Sequence, residues 1–201
     1  MSAIHLGQGD ALLVIDLQYD FLPGGSLGVP DGHEVIAPIN RLLAMFAQEG
    51  LPVFASRDWH PANHVSFKER GGPWPPHCVA GTRGAAFAEE LAFPDDVIVI
   101  SKADTPDVDA YSAFAGTSLA NQLRERGVTR VFACGLATDY CVLNTVTDAL
   151  DEGFETLIVP EAMRAVDVEA GDGMRALDRM VARGAVSLRL GEQGLTALSV
   201  S

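Results

Sequence analysis

The sequence predicts an α/β fold, a mostly parallel β-sheet with helices on both faces, and three observations predict it. Short continuous apolar runs, the mark of strands covered on both sides, recur along the chain. Segments with apolar residues at helical spacing separate them, and crossovers of that length join parallel neighbours. Polar and glycine-rich residues collect where the runs end, which is where open α/β sheets bind their ligands.

Ala11-Leu12-Leu13-Val14-Ile15 reads as a central strand with the carboxylate of Asp16 at its C-terminal end. Pro23 to Gly28 follows as loop. Val35, Ile36, Ile39, Leu42, Leu43 and Phe46 recur at helical spacing, and Gly50 stops that helix. Pro52 to Ser56 supplies a second strand ending at Arg57-Asp58. From Trp59 to Thr82 the periodicity gives way to Pro, Gly, His and aromatic residues, and so long an irregular stretch signals a binding loop. Gly84 to Ala92 fits a short helix with Phe87 and Leu91 inward. Val97 to Ile100 is a third strand ending near Lys102, and the irregular Ala103 to Gly116 leads to a helix using Leu119 and Leu123. After Gly127, Arg130 to Cys134 forms the fourth strand. A helix following Thr138 turns Val142, Val146, Ala149 and Leu150 inward. Glu155 to Val159 is the fifth strand, closed by Pro160. Met174, Leu177 and Val181 mark another helix, and Ala185 to Leu188 a sixth strand. Gly191 to Ser201 fits either an edge element or a frayed end.

With 201 residues, 48% of them apolar, one core suffices, so a single domain over residues 1–201 is expected. Fourteen basic against 27 acidic residues give a formal charge of -13, which disfavours nucleic acid and anionic membranes as partners. No run approaches the roughly 20 apolar residues of a membrane span, and Met1 to His5 lacks the basic start of a signal peptide. Cys78, Cys134 and Cys141 form neither a CxxC pair nor a disulfide framework, so a reducing cytoplasm is the expected location. Both a monomer and a homo-oligomer fit the composition.

Chemistry gathers in two constellations. In the first, Ala133 to Cys141 carries a thiol just inside a helical segment. A cap at Thr138 would set Cys141 among unpaired N–H groups at a positive helix end, which favours a thiolate. A buried cysteine is also a small inert hydrophobe, and that reading stays open for the stretch alone. Asp16 and Lys102 are expected on the same sheet edge, where the carboxylate can take the thiol proton and the ammonium can stabilise both anions. A structural salt bridge is the alternative for that pair. The backbone N–H groups of Ala137 and Cys141 are candidate donors to a developing oxyanion, and a cis Leu136-Ala137 peptide would aim the former inward. In the second constellation, Asp58, His60, His64 and His77 offer carboxylate and imidazole ligands suited to one divalent Zn, Fe or Mn ion, within a loop of about residues 58–79. His5 and His33 have no such company and read as surface groups. Phe21, Trp59, Phe67, Trp74, Tyr111 and Phe114 are candidates for the walls of a small flat pocket.

Taken together, Asp16-Leu17-Gln18-Tyr19-Asp20-Phe21, Asp58-Trp59-His60, Asn63-His64, Trp74 to Val79, Lys102 and Gly135 to Val142 resemble the nicotinamidase (pyrazinamidase) branch of the isochorismatase-like cysteine hydrolases. The resemblance runs from about Asp10 to Leu188. It implies a three-layer, doubly wound sheet of six strands in the order 3-2-1-4-5-6 and a cis Leu136-Ala137 peptide. It makes Cys141 the nucleophile, Lys102 its activating partner and Asp16 the general base and acid. Asp58, His60, His64 and His77 become the ligands of one metal ion per chain, with no organic cofactor. Phe21, Trp74 and Tyr111 match positions that enclose a pyridine ring, so nicotinamide and pyrazinamide are the implied substrates. Two rivals stand beside it: an amidase of the same superfamily acting on a carbamoyl or aliphatic amide, and a non-catalytic metal-binding or scaffolding protein.

Overall fold

The structure, a computed structural model, describes residues 2–198. Eight strands form one sheet: β1 (Ala3–Ile4), β2 (Asp10–Ile15), β3 (Val53–Asp58), β4 (Ile98–Lys102), β5 (Arg130–Leu136), β6 (Glu155–Arg164), β7 (Val186–Gly191) and β8 (Gly194–Ala197). Their order is β1-β8-β7-β6-β5-β2-β3-β4. Strands β2 to β7 pair in parallel, while β8 pairs antiparallel with both β7 and β1. This corrects the six-strand expectation: the sheet does not stop at β7, because Gly194–Ala197 folds back on it and Ala3–Ile4 then adds to the new edge. The last three residues of the expected tail, 199–201, lie outside the described residues.

Four helices cover the sheet: α1 (Ile36–Gln48), α2 (Leu119–Glu125), α3 (Leu143–Asp151) and α4 (Asp172–Ala182). All of β2 is buried because it is covered on both sides. Leu12 and Val14 face α1 through Ile39, Leu42, Leu43 and Phe46. On the other face Ala11 and Leu13 meet Leu119 and Leu123 of α2, and Ile15 meets Val146 of α3 and Met180 of α4. Alternation of side chains along the strand thus feeds two separate cores. Among the described residues no helix is long and apolar enough to cross a membrane.

Three local expectations fail, each for a tertiary reason. Residues 84–92 are not helical; Ala86 O accepts from Tyr19 N, Ala88 N donates to Leu17 O, and Phe87 bridges Gln18, so this backbone is already committed to the 17–20 segment. Thr138 caps nothing; it opens one π-helical turn, Thr138–Val142, with Ala137 in extended conformation ahead of it. Strand β6 runs past Pro160 to Arg164, and the register with β5 shifts between Ala133 and Gly135, an irregularity that spares Pro160 a ladder bond. The helix expected from Met174, Leu177 and Val181 is α4, which packs through Gly173, Ala176 and Met180 with Leu177 and Val181 beside them, while Met174 faces solvent at 69% exposure.

The parallel strands point their C-terminal ends the same way, and register brings Ile15 beside both Ser56 and Gly135, and Asp58 beside Lys102. Gly135 sits where this rim is tightest. Its φ is +124°, and a Cβ there would lie 2.1 Å from the Ile15 carbonyl oxygen, so only glycine lets β5 pass. All proposed chemistry stands on that rim.

Candidate active site

At the end of β2 the chain turns out of the sheet through Asp16, whose φ of +51° is in the left-handed region. Its buried carboxylate meets two partners. Ser56 Oγ donates to Oδ1 at 2.7 Å, and Lys102 Nζ lies 2.9 Å from Oδ2. Oδ2 receives no hydrogen bond of regular geometry among the described residues, which leaves it open to a proton. Lys102 also forms a very short contact with Asp58 Oδ1, and its Nζ lies 3.6 Å from Cys141 Sγ. Carboxylate oxygens of Asp16 and Asp58 and the Cys141 sulfur all fall within 4.8 Å of one another.

These side chains set one another's charge. Burial works against the Lys102 ammonium, but Asp16 and Asp58 reverse that and hold its pKa well above the ordinary value. Burial raises the Asp16 pKa, opposed by Lys102 and by the Ser56 hydroxyl. Burial also pushes the Cys141 thiol well up, again opposed by Lys102. This corrects the picture of a resting thiolate favoured by a helix end: removal from water outweighs it. Burial thus favours a Cys141 thiol over a thiolate, with a carboxylate near enough to deprotonate it.

Beside this group, Asp58, His60 and His77 bring ligating atoms within 4.8 Å of one another. Asp58 Oδ2 stands 4.0 Å from Nε2 of each histidine. The tautomers follow from the outer contacts. His60 Nδ1 lies 2.9 Å from His77 O and His77 Nδ1 lies 2.8 Å from Pro75 O. A carbonyl only accepts, so each Nδ1 carries the hydrogen and each Nε2 turns a lone pair toward Asp58. Burial lowers the His60 pKa to about 4, so that ring is neutral at pH 7. One carboxylate oxygen and two imidazole nitrogens are the donor set of a divalent ion with open coordination positions.

His64 is brought together with His60 and Asp109, ligating atoms within 4.8 Å of one another, rather than with Asp58 and His77. Its Nε2 meets the Val108 carbonyl at 3.0 Å and therefore donates, while its Nδ1 is engaged by Ser66, with the hydroxyl at 2.7 Å and the amide at 3.3 Å. Both ring nitrogens are thus engaged by protein partners in this arrangement. The ring instead stacks on His60, centroids 4.3 Å apart, and Phe67 packs edge-on against His60, His64 and His77.

A cavity of ≈ 330 Å³ opens over Cys141. Phe21, Trp74 and Tyr111 line it, together with Asp58 and His77 on the ligand side and Ala137 and Cys141 at the reactive end. The Leu136-Ala137 peptide is cis. Trp74 Nε1 donates to the Tyr111 hydroxyl at 3.0 Å, tying two loop aromatics together. The other expected wall residues lie elsewhere: Trp59 stacks under Arg57, Phe67 among the histidines and Phe114 against Phe154. His5 and His33 are exposed, away from the site.

Several contributors were not predicted. Tyr140 packs edge-on against Trp74 and lines the cavity with Leu27, Val29 and Val166. Ser56 carried a signal, a hydroxyl at the end of an apolar strand; Val166 carried none, since only tertiary folding brings it there.

A family model described as the isochorismatase domain matches residues 10–191. The nicotinamidase of Escherichia coli (strain K12) is 37% identical over 203 residues, spanning 90% of this chain and 95% of its own. The pyrazinamidase of Pyrococcus horikoshii, solved in complex with zinc, superposes with a TM-score of 0.87 at 48% identity, covering 90% of this chain and 99% of that one. PnC1 from L. infantum, solved in complex with nicotinate, gives 0.84 at 36% identity, with 94% and 96% covered.

Proposed function

The chain belongs to the isochorismatase family, and from that premise we propose that it is a nicotinamidase: a metal-containing cysteine amidohydrolase that converts nicotinamide to nicotinate and ammonia and also hydrolyses pyrazinamide. Relatives named for those activities match it over most of their length. The observation that carries the reading is the placement of the Cys141 thiol, within reach of Asp16 and Lys102, at one end of an aromatic cavity whose other side is Asp58 and His77. A flat ring filling that cavity turns its carboxamide to the sulfur.

Asp16 takes the Cys141 proton, and the thiolate forms a C–S bond to the carboxamide carbon. The carbonyl electron pair moves to oxygen, where the N–H groups of Ala137 and Cys141 stabilise it. Asp16 returns the proton to nitrogen, the C–N bond breaks, and ammonia leaves a nicotinoyl thioester. Asp16 then deprotonates water for attack on that thioester; the C–S bond breaks, the sulfur regains its proton, and nicotinate departs. Lys102 stays charged throughout, which keeps the buried carboxylate and the transient thiolate affordable at the same site.

Asp58, His60 and His77 would hold one divalent ion, with His64 ordering His60 rather than binding the ion itself. Bound there, the ion would supply a positive charge and a coordination position open to a substrate nitrogen or to water. Two imidazoles and one carboxylate make zinc the first candidate, with iron or manganese compatible. The same reading takes residues 1–201 as one domain with 58–79 as its metal-binding loop, working in a reducing cytoplasm, as its free, buried cysteines suit.

Replacing Cys141 with alanine tests it: ammonia release from nicotinamide disappears while the circular dichroism and zinc content stay at the parent values. Turnover near the parent rate by the folded C141A variant would eliminate the thioester route.

A further inference from the structure

Strand β2 and strand β3 stop pairing at Ile15 and Ser56, because Asp16 turns away, yet β3 continues two residues further to Asp58 on its β4 side. Asp58 would thus present an unpaired peptide edge inside the protein. Gln18 fills that gap. Its Oε1 accepts from Asp58 N at 2.8 Å and its Nε2 donates to Asp58 O at 2.7 Å, so one side-chain amide serves both backbone groups of one residue, as a neighbouring strand would. The second Nε2 hydrogen goes to Ala85 O at 2.9 Å, and Gln18 itself is fully buried. Every donor of the amide is used.

We propose that Gln18 is a positioning residue for Asp58, a side-chain rung that extends the sheet so that one carboxylate can be divided between Lys102 and the metal ligands. The division is visible in the two oxygens: Oδ1 contacts Lys102, while Oδ2 faces His60 and His77. Rotating the Asp58 backbone would misdirect both at once. The same short segment therefore carries the base, Asp16, and the residue that aims the metal carboxylate, which couples the two halves of the site through residues 16–18. The inference rests on the reading of Asp58 as a metal ligand.

The test compares Gln18→Met, which keeps length and loses the amide, with Gln18→Glu, which keeps an acceptor for Asp58 N and loses both donors. Asn40→Leu is the control, because Asn40 makes the same two-sided clamp on Glu90 O and Ala92 N, at 2.8 and 2.9 Å, far from the site. Zinc affinity is read without substrate, by competition with a chromogenic chelator, and KM and kcat are read separately for nicotinamide. Gln18→Met is expected to weaken zinc binding by about 10- to 100-fold, the size seen when an outer partner of a metal ligand is lost. KM should rise more than kcat falls once zinc is saturating. Asn40→Leu should leave zinc affinity at the parent value even where it costs equal thermal stability. Parent-like zinc affinity in a folded Gln18 variant overturns the proposal, with Gln18→Glu deciding if Gln18→Met does not fold. A parent chain that binds no zinc overturns the metal reading itself, and this inference with it.

Discussion

Asp16 is asked to be an anion in a place that water does not reach, and its neighbours decide how far that succeeds. Lys102 supplies the charge, and Ser56 supplies the hydrogen bond to Oδ1 at 2.7 Å. Burial still wins, leaving the Asp16 pKa above the ordinary carboxylate value. The sign for catalysis follows. Asp16 must be ionised to accept the thiol proton, so activity is lost as pH falls through its pKa, and a raised pKa moves that loss upward. The acid limb of kcat/KM is therefore expected above the ordinary carboxylate range, and Ser56→Ala, which removes a contact that favours the anion, should move it higher still. A pH profile of the S56A variant checks this; an acid limb that stays put or moves down contradicts the assignment of Asp16 as base. His64 makes a complementary point about residue identity. A histidine at plausible ligand spacing is recognised from sequence by type alone, but its role depends on where its two ring nitrogens find partners, here Ser66 and Val108, and no spacing encodes that.

At the scale of the elements, the two ends of one strand pair have separate tasks. Where β2 and β5 begin, Asp10 and Arg130 make a two-pronged ion pair, with Arg130 Nε and Nη2 2.6 and 2.8 Å from the two carboxylate oxygens. Gly7 N caps the same carboxylate at 2.9 Å. Where the same strands end lie Asp16 and Gly135. Asp10→Asn keeps the shape and removes the charge, so it should lower stability by about 1–3 kcal/mol and leave kcat/KM unchanged. Urea unfolding beside an ammonia-release assay separates the two; a fall in turnover by the fully folded D10N protein would show that the ends are not independent. The strands were the legible elements, since burial on both faces writes a continuous apolar run into the sequence. Residues 84–92 were not, because Phe87 and Leu91 fit a helix by spacing while the backbone hydrogen bonds go to 17–20. The short edge pieces β1 and β8 have too few residues for a pattern. The residues proposed to react were legible as chemistry placed at strand ends; Gln18 was visible in the same motif, but its amide finds its partners only when β3 lies beside it.

Across the whole molecule, the sheet and helices are regular and well packed, whereas two segments that add Trp74, His77 and Tyr111 to the cavity wall, residues 59–79 and 103–116, contain little repeating structure. Their order comes from isolated backbone bonds, such as Lys68 N to Trp74 O and Val65 N to Pro106 O, and from side chains: the stacked imidazoles, the Phe67 ring among them, the His64 contact to Val108 and the Trp74 bond to Tyr111. Asp58, His60 and His77 lie at the root of that assembly. A divalent ion held by these three residues binds the folded chain and finds no such arrangement in the unfolded one, so it should stabilise the protein by mass action. At free zinc about a hundredfold above the dissociation constant the gain is about 2.7 kcal/mol, or roughly 5–10 °C in melting temperature for a domain of this size. Chelation should remove the gain reversibly, lower nicotinamide affinity and speed proteolysis within residues 59–79. Asp58→Ala should abolish the zinc-dependent shift, whereas His64→Ala should retain most of it while weakening substrate binding. Melting curves of the three proteins with and without zinc check this in one experiment. Equal loss of the shift in the His64 and Asp58 variants would make His64 a ligand after all, and no shift in the parent would remove the ion from the account of the site.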